Sequence, residues 1–205
     1  ALYKFNKVII EVNAVMRLDR HPELNAGWRE FARDLNYSRR GRPLGPEEVH
    51  QNSAHHDAGD GGILEKNEVE DLVEFSNKHH LEVIPEIPSL THSYYLLTRH
   101  RELAEIQNAE WPDTYCPSNP GSYDLYFDVL DEYIDVMQPE MIHIGHDEWR
   151  IPVDVCPRCK GKDYPGLFAR DVNKIHDYLA NKGIRVAMWG DHLLESVRGK
   201  ELRNR

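Results

Sequence analysis

The residues of this chain best suited to chemistry are two adjacent carboxylates, Asp147 and Glu148, in the run His143-Ile-Gly-His-Asp-Glu-Trp149. Two carboxylates in one pocket can divide acid and base work, because the charge on one raises the proton affinity of the other. Neighbouring side chains on a regular strand point to opposite faces. Both therefore reach one pocket only where the strand breaks, and Gly145 offers the break. The bland alternative is a solvated loop start. Inward positions at His143 and at Trp189, later in the chain, weigh against it. An indole is a flat apolar platform for a sugar ring, although it can equally plug a core.

A second candidate is a metal. Cys156-Pro-Arg-Cys159 has the C-x-x-C spacing of a zinc knuckle. One such pair is a weak signal, because a tetrahedral structural site needs two more ligands. Cys116 and one of His50, His55 and His56 are the candidates. A redox role fits less well, since no helix start is placed to lower a thiol pKa. His92, His143, His146, Asp147 and Asp191 form a rival set, the ligands of a metal-dependent barrel hydrolase. Sensitivity of turnover to chelators separates that reading from a metal-free enzyme.

The elements that must position these residues alternate. Short apolar runs at 7–13, 81–87, 141–147 and 184–191 read as strands, and segments of helical period at 67–80, 122–137 and 166–182 lie between them. Asn67 reads as the N-cap of the first helix, and Gly183 stands as a C-cap after the last. Strand–helix alternation predicts a parallel sheet covered by helices. Parity refines this. Val8, Ile10 and Val12 oppose Ile9, Glu11 and Asn13; Ile142 and Ile144 oppose His143, Gly145 and Asp147. Val83 and Pro85 oppose Ile84 and Glu86; Val186 and Met188 oppose Ala187, Trp189 and Asp191. One apolar face and one face turning polar toward the C-terminal end is the pattern of a (β/α)8 barrel, with its site at the C-terminal mouth. A doubly wound sheet would be apolar on both faces, and its Gly-x-Gly-x-x-Gly loop follows none of these strands. The segment 36–62 reads as a long loop, and 194–205 as a charged, helix-like stretch.

Composition bounds the function. The chain has 205 residues, 40% apolar and 29% charged, which is globular composition. Lys plus Arg is 25 against Asp plus Glu at 35, a net charge of −10 that disfavours nucleic acid or an anionic membrane as partner. No apolar run approaches the ~20 residues of a membrane span. Three Cys exclude a disulfide framework. No signal-peptide core begins the chain, and both an exported and a cytoplasmic protein fit. A full barrel takes about 250 residues and eight strands; four strands make the chain a partial (β/α)8 TIM barrel, α/β in class, and a fragment of something longer.

The ordered motifs resemble glycoside hydrolase family 20, the β-N-acetylhexosaminidases. That family has a strand ending His-x-Gly-Gly-Asp-Glu, and residues 143–148 here read His-Ile-Gly-His-Asp-Glu. Its Pro-Glu-Ile-Asp-x-Pro-Gly-His is matched by Pro-Glu-Ile-Pro-Ser-Leu-Thr-His at 85–92. Lys4-Phe-Asn6, Met16-Arg17, Pro22-Glu-Leu-Asn25 and Trp189-Gly-Asp191 follow the family order. The resemblance runs from about residue 2 to 195 and corresponds to barrel strands two to five. All of 1–205 then belongs to one catalytic domain whose first strand and last three strands are absent. His146 replaces a family glycine, where it is expected to crowd or hydrogen-bond the substrate, and Leu90-Thr91 replaces Pro-Gly. Ala14 aligns near a usual Asp.

The resemblance implies a retaining, substrate-assisted glycosidase acting on 2-acetamido sugars, with no cofactor. Glu148 matches the general acid and Asp147 the residue that orients the acetamido group. His92, His143, Trp189, Asp191 and Arg17 match positions around the sugar, Arg17 being the weakest of them. A non-catalytic glycan-binding remnant of the same barrel is the non-enzyme alternative, and retention of both carboxylates argues against it. Open strand edges suggest a homo-oligomer, or packing against other polypeptide.

Overall fold

A computed structural model describes residues 4–34, 62–109, 111–149 and 155–193. Apart from Gly62, the segments 36–62 and 194–205 lie outside the described residues, as do His50, His55 and His56.

Four strands, β1 (Lys7–Glu11), β2 (Glu82–Ser89), β3 (Met141–Gly145) and β4 (Arg185–Ala187), form one parallel sheet in the order β1-β2-β3-β4. A doubly wound sheet reverses its strand order at a switch point. Here every crossover steps to the next neighbour in the same direction, which is how a barrel wall is built. The fold is α/β, a partial barrel. All four expected strands are present with shifted ends. The second runs on to Ser89, and the fourth stops at Ala187. Beyond that end, the Trp189 N–H still donates to the Gly145 carbonyl at 2.9 Å.

The parity reading holds for β3. Ile142 and Ile144 are fully buried against the helices, and His143 faces the other way, onto Glu86 of β2. The same reading put Ile10 on the helix-facing side of β1. Ile9 and Ile10 are nevertheless 45% and 42% exposed, because β1 is an edge strand among the described residues.

Among the described residues, five α-helices accompany the sheet: α1 (Pro22–Asp34), α2 (Lys66–Lys78), α3 (Tyr94–Leu97), α4 (Pro120–Met137) and α5 (Tyr164–Ala180). Three were expected. Asn119 and Asp163 cap α4 and α5, each accepting a backbone N–H two or three residues on, and a proline opens each first turn. The last helix ends at Ala180, short of the expected 182. Gly183 (φ +77°) then turns the chain so that the Ile184 N–H returns to the Leu179 carbonyl.

The sequence reading missed α1 and α3. Leu24, Trp28 and Phe31 carry the helical spacing of α1 behind Pro22, and they are buried. Phe31 stacks on Tyr94 of α3 at 4.6 Å between ring centroids. With four residues, α3 is too short to show a period. Tyrosines of α4 tie the helix layer to the strand ends. The Tyr126 hydroxyl donates to the Ile87 carbonyl, and Tyr133 binds Val12 and Asn13 carbonyls while accepting from the Met16 N–H. The C-terminal ends of the strands, where the carboxylates lie, are thereby fixed from behind.

Candidate active site

The strand carrying the carboxylates breaks where the sequence placed the break. Gly145, His146 and Glu148 all have left-handed backbone, with φ of +68°, +69° and +54°. A side chain at Gly145 would bring its Cβ to 3.2 Å from the Pro88 Cα, so glycine suits both the turn and the close approach of β2. The break lets neighbouring carboxylates converge. Asp147 Oδ2 lies 3.5 Å and Glu148 Oε2 3.8 Å from the same atom, His92 Nε2.

His92 is 5% exposed and is gripped from its other side by Asp113, whose Oδ1 accepts the His92 backbone N–H and stands 3.7 Å from Nδ1. Burial opposes a charge on this imidazole. Contact with Asp147 and the negative fields of Asp113, Asp147 and Glu148 outweigh it and hold the pKa up at about 9. His92 is therefore a cation at neutral pH, set beneath two carboxylates that are half-buried and open to the mouth.

Leu90 and Thr91, which stand where the resemblance has Pro-Gly, shape the corner after β2. Leu90 and His92 take φ of +63° and +53°, and the Thr91 hydroxyl donates to the Asp147 carbonyl at 2.5 Å. Thr91 thus tethers the carboxylate loop to the end of β2.

On the opposite side, Trp189 donates its indole N–H to Glu86 Oε1 at 2.7 Å, and His143 Nδ1 sits 3.3 Å from the same oxygen. His143 packs edge-on against Trp189 at 4.7 Å. Trp189 is 44% exposed and offers its face at the mouth, whereas His143 is 3% exposed and lies beneath it. The backbone around the acid pair is fixed by the segment after β4. Asp191 Oδ2 accepts the Glu148 N–H at 3.1 Å, and His192 Nε2 accepts the Trp149 N–H at 2.7 Å.

The structure thus brings together Asp147, Glu148, His92, His143, Trp189 and Asp191. Arg17 is placed apart from them. It forks onto Glu65, the residue before α2, at 2.6–2.9 Å, and no described contact joins it to the carboxylates.

His146 requires a correction. Expected to crowd or bind substrate, it is fully buried on the helix side of the sheet, with Nδ1 on Ser89 and Nε2 facing Asp171 of α5. The left-handed turn at Gly145 and His146 swings it away from the mouth. The rival metal set of His92, His143, His146, Asp147 and Asp191 does not converge either, because His146 faces backward and His143 is held on Glu86. Sequence reasoning missed Glu86, Thr91, Asp113 and His192. Inner-face parity pointed to Glu86; the others sit on loops, where no period exists to read.

Comparisons with known proteins bear on the family. The profile of Glycosyl hydrolase family 20, catalytic domain, matches residues 15–204. A lacto-N-biosidase of Bifidobacterium bifidum is 26% identical over 175 residues, covering 79% of this chain and 15% of the relative. A beta-hexosaminidase of Porphyromonas gingivalis is 27% identical over 159 residues, 67% of this chain and 20% of the relative. In fold, the chain superposes on the crystal structure of a beta-N-acetylhexosaminidase from Bacteroides fragilis with a TM-score of 0.68 at 22% identity. That match covers 91% of this chain and 36% of the other. The chain spans a fifth or less of the curated relatives. By the extent of the profile match, it belongs to glycosyl hydrolase family 20, within that family's catalytic domain.

Proposed function

We propose that the protein carrying this chain hydrolyses glycosides of N-acetylhexosamines with retention, using the substrate's own 2-acetamido oxygen as nucleophile. The observation that carries the reading is the convergence of Asp147 and Glu148 on His92 Nε2, at 3.5 and 3.8 Å, at the open end of the sheet. Family membership and the names of the two curated relatives support the choice of sugar.

Glu148 donates its proton to the glycosidic oxygen as the bond breaks, then takes one from the water that opens the intermediate. Asp147 holds the acetamido N–H and balances the positive charge that develops as its carbonyl oxygen closes on the anomeric carbon. Protonated His92 keeps Asp147 ionised and in place. Trp189, braced by Glu86, supplies an apolar wall for the sugar and its acetamido methyl. Asp191 acts as a positioning residue through the Glu148 backbone.

The test is turnover by the full-length protein of aryl N-acetylglucosaminides and N-acetylgalactosaminides beside aryl glucosides. Release from the acetamido sugars alone, blocked by a thiazoline mimic of the cyclised intermediate, is the expected result. Equal turnover of sugars lacking the acetamido group sinks the mechanism. Binding of glycans without any turnover favours the lectin alternative.

A further inference from the structure

We propose that Cys116, Cys156 and Cys159 bind one zinc ion as thiolates, with Glu105 completing the shell directly or through one water, in a structural site behind the active-site loop. The three sulfurs lie within 4.8 Å of one another, and all three residues are buried and outside any disulfide. Cys116 Sγ is 3.3 Å from Cys156 Sγ and 3.6 Å from Cys159 Sγ. A tetrahedral ion with Zn–S bonds of about 2.3 Å sets its sulfurs about 3.8 Å apart. A small outward movement of each sulfur therefore makes room for the ion.

Two independent features point to a ligand here. Glu105 is 2% exposed, its carboxyl lies against Cys159, and its Oε1 makes no well-formed hydrogen bond. Its other oxygen accepts from the Trp149 indole N–H at 3.3 Å. A buried carboxyl is costly to ionise alone, and a bound cation would supply the compensating charge. The knuckle is also built for metal. Cys156 and Cys159 close a turn in which the N–H groups of Cys159 and Lys160 donate to the Cys156 carbonyl at 3.0 and 2.9 Å. Ser118 Oγ lies 3.3 Å from Cys159 Sγ and accepts from Lys162 Nζ. With exposed Arg158 and Lys160, Lys162 offsets the negative charge of a tris-thiolate shell.

Binding releases the three thiol protons to solvent and forms three Zn–S bonds, with no change of oxidation state. The ion would join three stretches otherwise held by side-chain contacts: the turn carrying Glu105, the approach to α4 at Cys116, and the segment after the acid pair. Through Glu105 it also reaches Trp149, the residue after Glu148. This inference stands whether or not the proposed hydrolysis is correct, because its readouts are metal content and spectra.

The experiment is made on the full-length protein, purified without chelator and under reducing conditions. About one zinc per chain is expected, with the three thiols shielded from alkylation until a strong chelator removes the metal. Replacement by Co(II) should give thiolate-to-metal charge-transfer absorption and the intense visible bands of a tetrahedral ion. Cys159→Ser should lose the zinc. Cys159→His, which keeps a ligand, should retain zinc with weaker charge transfer, and this guards against loss through misfolding. Glu105→Gln should keep the charge transfer and alter the visible bands. Zinc no higher in the parent than in Cys159→Ser, or failure of the reduced protein to take up Co(II), overturns the assignment. A Cys116–Cys156 disulfide in the native protein also overturns it.

Discussion

His146 Nε2 and Asp171 Oδ2 lie 3.2 Å apart in the fully buried layer between β3 and α5. The Ser89 hydroxyl has one proton and donates it to the Ile144 carbonyl, so it must accept from His146 Nδ1. Tyr115 and Tyr123 both donate to Asp171. Burial pushes Asp171 up to about 7 and His146 down to about 3, so the low-dielectric layer favours the uncharged form of each. A protonated Asp171 then has a hydrogen to donate to the neutral imidazole at Nε2 across the 3.2 Å gap.

Removing that imidazole should be costly in a specific order. His146→Ala opens a cavity and strips Ser89 and Asp171 of a partner, a loss of about 2–4 kcal/mol. His146→Gly creates a larger void, yet it relieves a left-handed backbone at φ +69° worth about 1 kcal/mol. The glycine variant should therefore be no less stable than the alanine variant. Urea midpoints of the two decide the matter, and a clearly weaker glycine variant refutes the role of strain.

His92 gives stability a pH dependence. Its folded-state pKa is raised from 6.5 to about 9, so the folded state holds the proton more tightly than the unfolded chain. The stabilisation is complete below pH 6.5 and fades as the pH rises through about 9, an effect on the order of 3 kcal/mol. Urea unfolding from pH 6 to 10 should show this decline in the parent and a flatter course in His92→Gln. Parallel curves for the two proteins would be incompatible with the charge placed on His92.

The sequence disclosed the parts of this structure that repeat. Strand parity at Ile142, His143 and Ile144 requires only alternation, and it correctly separated the helix face from the mouth. It also predicted that Asp147 and Glu148 need a broken strand to meet. Non-local relations were hidden. His146 follows the parity of a continuing strand only until Gly145 turns it, and nothing in the chain announces that Asp171, on α5, is its partner. The grip of Asp113 on His92 spans 21 residues in which the only α-helix, α3, is too short to show a period. The three cysteines were visible as residues; that Cys116 folds against the C-x-x-C pair is a tertiary fact.

The outer side of β1 offers a prediction about assembly. Ile10, Leu72 and neighbouring Val12, Met16 and Val69 line an apolar groove of about 170 Å³ between β1, α2 and the end of α4. Leu72 is 53% exposed, and Ile9 opens the inner face of the same edge. Expressed alone, residues 1–205 should associate along this edge, since an unpaired strand with apolar flanks templates pairing. Sedimentation is expected to show dimers or larger species, reduced by Ile10→Lys. A monomer at all concentrations contradicts this.

The last prediction separates Asp147 from Glu148 in the full-length protein. General acid catalysis is worth about 10²–10⁴-fold, and it matters only where the leaving group needs a proton. Glu148→Gln should lose about that factor on natural glycosides with alkoxide leaving groups. On activated nitrophenyl or fluorinated aryl glycosides it should lose far less from the first step. Asp147→Asn acts elsewhere. It weakens the hold on the acetamido N–H and removes a charge from beside the forming oxazolinium, whatever group departs. Its loss should be similar across leaving groups, and it should bind a thiazoline mimic less tightly. Because Asp147 is the carboxylate nearest to His92 Nε2, at 3.5 Å, its removal should also lower the pH at which His92 titrates. Glu148→Gln, at 3.8 Å, should lower it less. The histidine NMR titration reads this without turnover. The same leaving-group dependence in both variants would mean that the two roles are wrongly divided, even if the His92 titration moves as expected.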